Sequence, residues 1–108
     1  MKINLLEETE QILEQHNLGW RNVKFIANAE GIVNIATFVA LAKMYYYDNT
    51  EKNLGVDPSI VIVGSTWWMT RIVLDGEEKW FFHKKPQKPT LNSIDFSIKG
   101  RFYLNPRE

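Results

Sequence analysis

The chain has 108 residues, 44% apolar and 24% charged, with 13 Lys and Arg against 13 Asp and Glu. A chain of that length buries about two-thirds of its unfolded surface, which suffices for one core and not for two, and its apolar content excludes disorder as the dominant state. Zero net charge argues against a mimic of the DNA backbone and weighs against a dedicated DNA binder, while the lack of cysteine excludes disulfides, thiolate metal sites and a cysteine nucleophile.

The charge is unevenly distributed. Residues 1–18 carry Glu7, Glu8, Glu10 and Glu14 against Lys2, whereas residues 79–108 are rich in Lys and Arg. Residues 1–15 have charges every few positions and no uninterrupted apolar stretch, so they do not read as a signal peptide. No apolar run approaches the ~20 residues of a membrane span. A small secreted domain usually needs disulfides, so a cysteine-free chain points to a reducing cytoplasm.

Residues 3–17 predict an amphipathic helix. Leu6, Thr9, Leu13 and His16 recur at helical spacing, Glu7, Gln11 and Glu14 line the other side, and Gly19 is the expected left-handed stop. Residues 23–27 predict a short strand, Asn28 to Gly31 a turn, and Ile32-Val33 an extended continuation. Asn34 is the expected N-cap of a second helix over 35–45, whose apolar composition predicts burial on more than one side, with Phe38 and Leu41 in the core. In Tyr45-Tyr46-Tyr47 the first ring is expected to face the core and the next two to stand exposed at the mouth of a surface loop over 46–58. Residues 60–63 predict a buried strand.

Asp75-Gly76 is a type I′ turn signal between Trp67–Leu74 and Lys79–Lys84. A two-residue loop sets Leu74 opposite Glu77 and Arg71 opposite Trp80, a pairing suited to a cation–π contact. Both hairpin faces then carry large apolar groups, more than one core needs, so one face is expected to be a binding surface or to be covered by something else. A basic, proline-punctuated linker comes next, and Ile94, Phe96 and Ile98 alternate with polar residues as a last strand. The expected class is a single α+β domain over 1–108: two helices on a mostly antiparallel sheet of four to five strands, in the order α-β-α-β-β-β-β.

No catalytic constellation stands out. His16 and His83 lie on different elements without evident co-ligands, and a packed or surface role is the simpler reading of each. Asp48, Asp57, Asp75 and Asp95 fit loop, pre-proline, hairpin-turn and outward strand positions more simply than a metal site, and Ser65-Thr66 have no base nearby in sequence. The expectation is therefore no enzyme, no metal and no cofactor. Within Trp67, Trp68, Trp80, Phe81 and Phe82 at least half the rings must be core; the remainder could anchor a protein or stack on single-stranded nucleic acid.

Tyr47-Asp48-Asn49, Asp57 to Gly64, Trp67-Trp68 and Asp75 to Phe82 occur in an order that resembles a family of small proteins encoded in phages and prophages of Gram-positive bacteria. The resemblance covers most of residues 1–90. This chain departs from it at Thr50-Glu51-Lys52-Asn53, where the family often has glycines, and at Met69-Thr70, where the family often has charged residues. By size and genomic company, the resemblance implies a phage accessory protein, non-enzymatic, that inhibits a bacterial defence protein in the host cytoplasm. An anti-CRISPR inhibitor of a Cas nuclease is the leading form of that expectation. The alternative is a nucleic-acid-binding accessory protein using the basic, aromatic C-terminal part. In either case the chain would be a monomer or homodimer. The expected contact residues are Arg71, Trp80, Lys84, Lys85 and Arg101, with the loop Tyr46, Tyr47, Asp48 and Asn49 as the second choice.

Overall fold

A computed structural model describes residues 2–88. Arg101 and the strand expected around Ile94, Phe96 and Ile98 lie outside the described residues. The fold is α+β, with two helices, a two-stranded sheet and a five-stranded sheet, and the strand pairs of both sheets are antiparallel among the described residues.

The first strand, β1 (Lys2–Asn4), runs straight into α1 (Leu5–Gln15). Asn4 turns the chain: its Oδ1 accepts from the Glu7 amide at 2.9 Å, and its side-chain amide donates to the Lys43 carbonyl at 2.9 Å. The helix ends earlier than its pattern suggests. Asn17, not Gly19, adopts the left-handed conformation (φ 60). The Leu18 amide reaches back to the Leu13 carbonyl at 2.9 Å and the Asn17 amide to that of Glu14 at 3.0 Å, which is the Schellman arrangement. Asparagine tolerates that conformation because its short polar side chain can bond locally.

A single 3₁₀ turn (Trp20–Asn22) leads to β2 (Phe25–Asn28), and an Ala29-Glu30 turn to β3 (Gly31–Val33). Helix α2 (Ile35–Lys43) starts where expected, with Asn34 Oδ1 accepting from the Thr37 amide at 2.9 Å. Next comes β4 (Tyr46–Asp48), within the stretch expected to be loop; it pairs with β1, Ile3 facing Tyr47. Three-residue strands are too short to show alternation, which is why neither was visible. The chain then crosses to β5 (Val61–Val63), β6 (Trp67–Leu74) and β7 (Glu77–Lys84). The large sheet has the order β3-β2-β5-β6-β7.

The Asp75-Gly76 turn is as predicted. Both residues have positive φ (53 and 79), and the ladder runs from Leu74–Glu77 to Trp67–Lys84 with Arg71 opposite Trp80. The inner row Val33, Ile26, Ile62, Met69, Phe82 crosses all five strands, and its middle three side chains are fully buried. Leu5, Leu13, Phe38, Ala42 and Tyr47 close the core against it. Gly64 lies so close beneath Trp67 that a Cβ there would overlap the indole.

Candidate functional site

The hairpin's inner face holds a charged cluster rather than a purely apolar one. Arg71 donates from Nη1 to Glu8 at 3.2 Å and from Nη2 to Glu78 at 3.3 Å and the Tyr47 hydroxyl at 2.8 Å. Its guanidinium lies 4.7 Å from the Trp80 ring centroid. Tyr47 donates to Glu8 at 2.6 Å, and Trp80 Nε1 donates to Thr9 Oγ1 at 2.9 Å. Burial, reinforced by the Glu8 carboxylate, pushes the Tyr47 hydroxyl far above its ordinary value of 10.0, against the opposing pull of Arg71. This cluster ties α1, β4, β6 and β7 together. Arg71 and Trp80 are 8% and 4% exposed, so within the described residues they present little surface.

The connection from β4 to β5 is built by side chains that satisfy backbone groups. Asp48 accepts from the amide and hydroxyl of Thr50, and Asp57 from those of Ser59; these hydrogen bonds hold both carboxyls below their ordinary value. Glu78 accepts from the Gly55 and Val56 amides at 2.8 and 2.9 Å, and the Asn49 carbonyl accepts from the Glu78 amide at 2.8 Å. Among the described residues no group of three His, Asp or Glu is gathered as a metal site.

Helix α2 departs most from expectation. It buries one stripe, Phe38 and Ala42, against the core, and Leu41 is 67% exposed rather than a core residue. The reason is the layer count: α1 and the inner sheet face meet α2 along one side, and no further element of the described chain covers the other. Met44 is 81% exposed, and Tyr45 and Tyr46 follow it at the surface. Between α2 and the segment 55–60 lies an open groove of about 580 Å³ with Phe38 and Val56 beneath and Leu41, Met44, Tyr45 and Ile60 around it. The Tyr45 hydroxyl donates to the Gly55 carbonyl and bridges the groove's two sides.

The outer face of the large sheet, opposite both helices, is also largely apolar. The row Phe25, Val63, Trp68, His83 runs across four strands, and Phe81 faces Thr70 beside it. Phe25, Trp68 and Phe81 are 39%, 37% and 47% exposed. The expected burial of β5 holds only for Ile62; Val61 and Val63 are half-buried on this face. His83 is fixed by stacking on Trp68 at 5.0 Å, by an edge contact with Phe81 at 4.7 Å and by Thr70 Oγ1 2.8 Å from its Nε2. His16, the other histidine, stacks on Phe82 at 3.6 Å.

The residues expected to meet a partner are therefore dispersed. Arg71 and Trp80 are buried because alternation sends them inward, where Glu8 and Glu78 neutralise the cation. Lys84 and Lys85 are exposed at the end of β7, and Arg101 is outside the described residues. In the alternative loop, Tyr46 is exposed, Tyr47 is 3% exposed, and Asp48 and Asn49 are half-buried in turn-forming roles. The tyrosine assignment is reversed: pairing with β1 turns Tyr47 inward and leaves Tyr45 at the surface. The sequence does not mark Leu41 and Met44 as surface residues, since an apolar helix reads the same whether its second side is covered or bare. The bare outer sheet face had a signal, the apolar groups on both sides of the hairpin. Comparison with protein-family models, curated proteins and solved structures gives no match.

Proposed function

We propose that this chain is a non-enzymatic binding protein that docks a partner protein against α2. Its partner on this reading is a bacterial defence protein in the host cytoplasm, with a Cas nuclease as the leading target. The observation that carries the reading is the contiguous exposed surface of Leu41, Met44 and Tyr45 around an open apolar groove. Large exposed apolar patches on small domains mark interaction surfaces, and a flexible methionine adapts to a facing side chain. Phe38 and Val56 give the groove a rigid floor, and the Tyr45–Gly55 bridge holds its rim without cost on binding. The choice of a defence protein rests on the phage-family resemblance of the Tyr-Asp-Asn, Val-Gly, Trp-Trp and Asp-Gly segments.

Target DNA cleavage by a purified Cas nuclease, with and without this protein, tests both parts. The parent chain should suppress cleavage, and folded Leu41→Asp and Met44→Asp variants should not. An inert parent removes the Cas assignment. A parent and variants that suppress equally remove α2 as the site. Analytical ultracentrifugation of the same variants separates partner binding from self-association through the patch.

A further inference from the structure

We infer that the outer face of the β6–β7 hairpin is a docking strip for a single strand of nucleic acid, on the side of the sheet opposite the α2 groove and independent of the α2 reading. The outward residues of β7 and its continuation alternate Lys79, Phe81, His83, Lys85, and β6 sets Trp68 and Thr70 beside them. Two cations about 20 Å apart, by strand rise, thus bracket a group of rings. Among the outward strand residues of this hairpin only Glu77, at the turn, is acidic.

Three features fit a single strand better than another occupant. Sheet-borne aromatic rings stack bases irrespective of sequence, because every base has a π-face. The rings are preorganised: the Trp68–His83 stack is within 4° of parallel, and the Thr70 hydroxyl holds the imidazole. The flanking charge is complementary to phosphate, and neither Lys79 nor Lys85 makes an ion pair among the described residues. A second copy stacked through the same strip would bring the two lysine pairs together, and an apolar protein segment would gain nothing from them.

The test is fluorescence anisotropy of labelled dT20 and rU20 with the full chain between 20 and 300 mM salt. The strip predicts binding that weakens steeply with salt, and a blunt duplex of the same length should bind less tightly because its bases are not free to stack. Phe81→Ala should lower affinity about tenfold with the fold intact. Lys79→Gln with Lys85→Gln should reduce the slope of log affinity against log salt by about 1.4, some 0.7 per lost phosphate contact. Comparison of dT20 with rU20 identifies which sugar the strip prefers. No binding at 20 mM salt overturns the proposal, as does binding that Phe81→Ala leaves unchanged. Sedimentation showing a dimer that Phe81→Ala dissociates would assign the strip to a second copy instead.

Discussion

The Arg71 guanidinium lies 4.7 Å from the centroid of the Trp80 ring, across the β6–β7 ladder and inside the core. The same pair read in the sequence suits an exposed anchor. In the fold, the ring lies over the cation while Glu8 and Glu78 bind its two terminal nitrogens, and the indole N–H is taken up by Thr9. The pair is a buried clamp between the hairpin and α1.

Removing that clamp should be costly. Arg71→Ala leaves two carboxylates facing each other without their cation, and loss of one side of a buried ion pair costs about 3–5 kcal/mol. Arg71→Lys should recover only part of this, because an ammonium cannot reproduce the planar fork that meets Glu8, Glu78 and Tyr47 together. Urea denaturation of the three proteins measures the order; an Arg71→Ala midpoint equal to the parent's would contradict the buried network.

The two sides of α2 should respond differently to truncation. Phe38→Ala removes a buried ring and should cost about 3–5 kcal/mol. Leu41→Ala should change stability by no more than about 0.5 kcal/mol, as surface substitutions do. Equal losses from both would mean that Leu41 is covered in solution.

Backbone positions in the β5–β6 and β6–β7 turns should tolerate little. Gly64→Ala sets a methyl carbon into the space of the Trp67 indole, so the ring must leave its place or β5 must shift. Gly76→Val places a β-branched residue at φ 79, outside its accessible region. Both should lower the thermal midpoint, and Gly64→Ala should also change the near-ultraviolet circular dichroism of the tryptophans.

Tyr47 makes stability sensitive to alkali. Its folded hydroxyl holds its proton beyond the ordinary value of 10.0, so the unfolded chain loses that proton first. The contribution is complete below pH 10 and declines as pH rises above it. Stability measured from pH 8 to 11 should therefore fall less steeply in Tyr47→Phe than in the parent; parallel curves would show that this hydroxyl is not linked to folding.

The elements that the sequence makes legible are those with long patterns or strong local chemistry. Helix α1 shows a 3.6-residue period, Asn34 caps α2, and Asp75-Gly76 fixes the hairpin and with it every pair from Trp67 to Lys84. Fold class follows from these. Burial is less legible, because it depends on how many layers the fold stacks. An apolar α2 predicts cover on two sides, but only one exists among the described residues, so Leu41 and Met44 emerge as surface. Arg71 and Trp80 show the converse: their cross-strand contact is evident from register, whereas their depth depends on Glu8 and Thr9, more than sixty residues away in the chain.

The central claim is that α2, rather than the hairpin lysines, meets the partner protein. Its most direct test is the dissociation constant for a purified Cas nuclease, compared among the parent, Leu41→Asp/Met44→Asp and Lys84→Glu/Lys85→Glu. Hot-spot residues cost about 2 kcal/mol or more, so the α2 pair should weaken binding by about thirtyfold or more, while the lysine pair alters chiefly its salt dependence. Binding that survives the α2 pair and is abolished by the lysine pair would contradict the account.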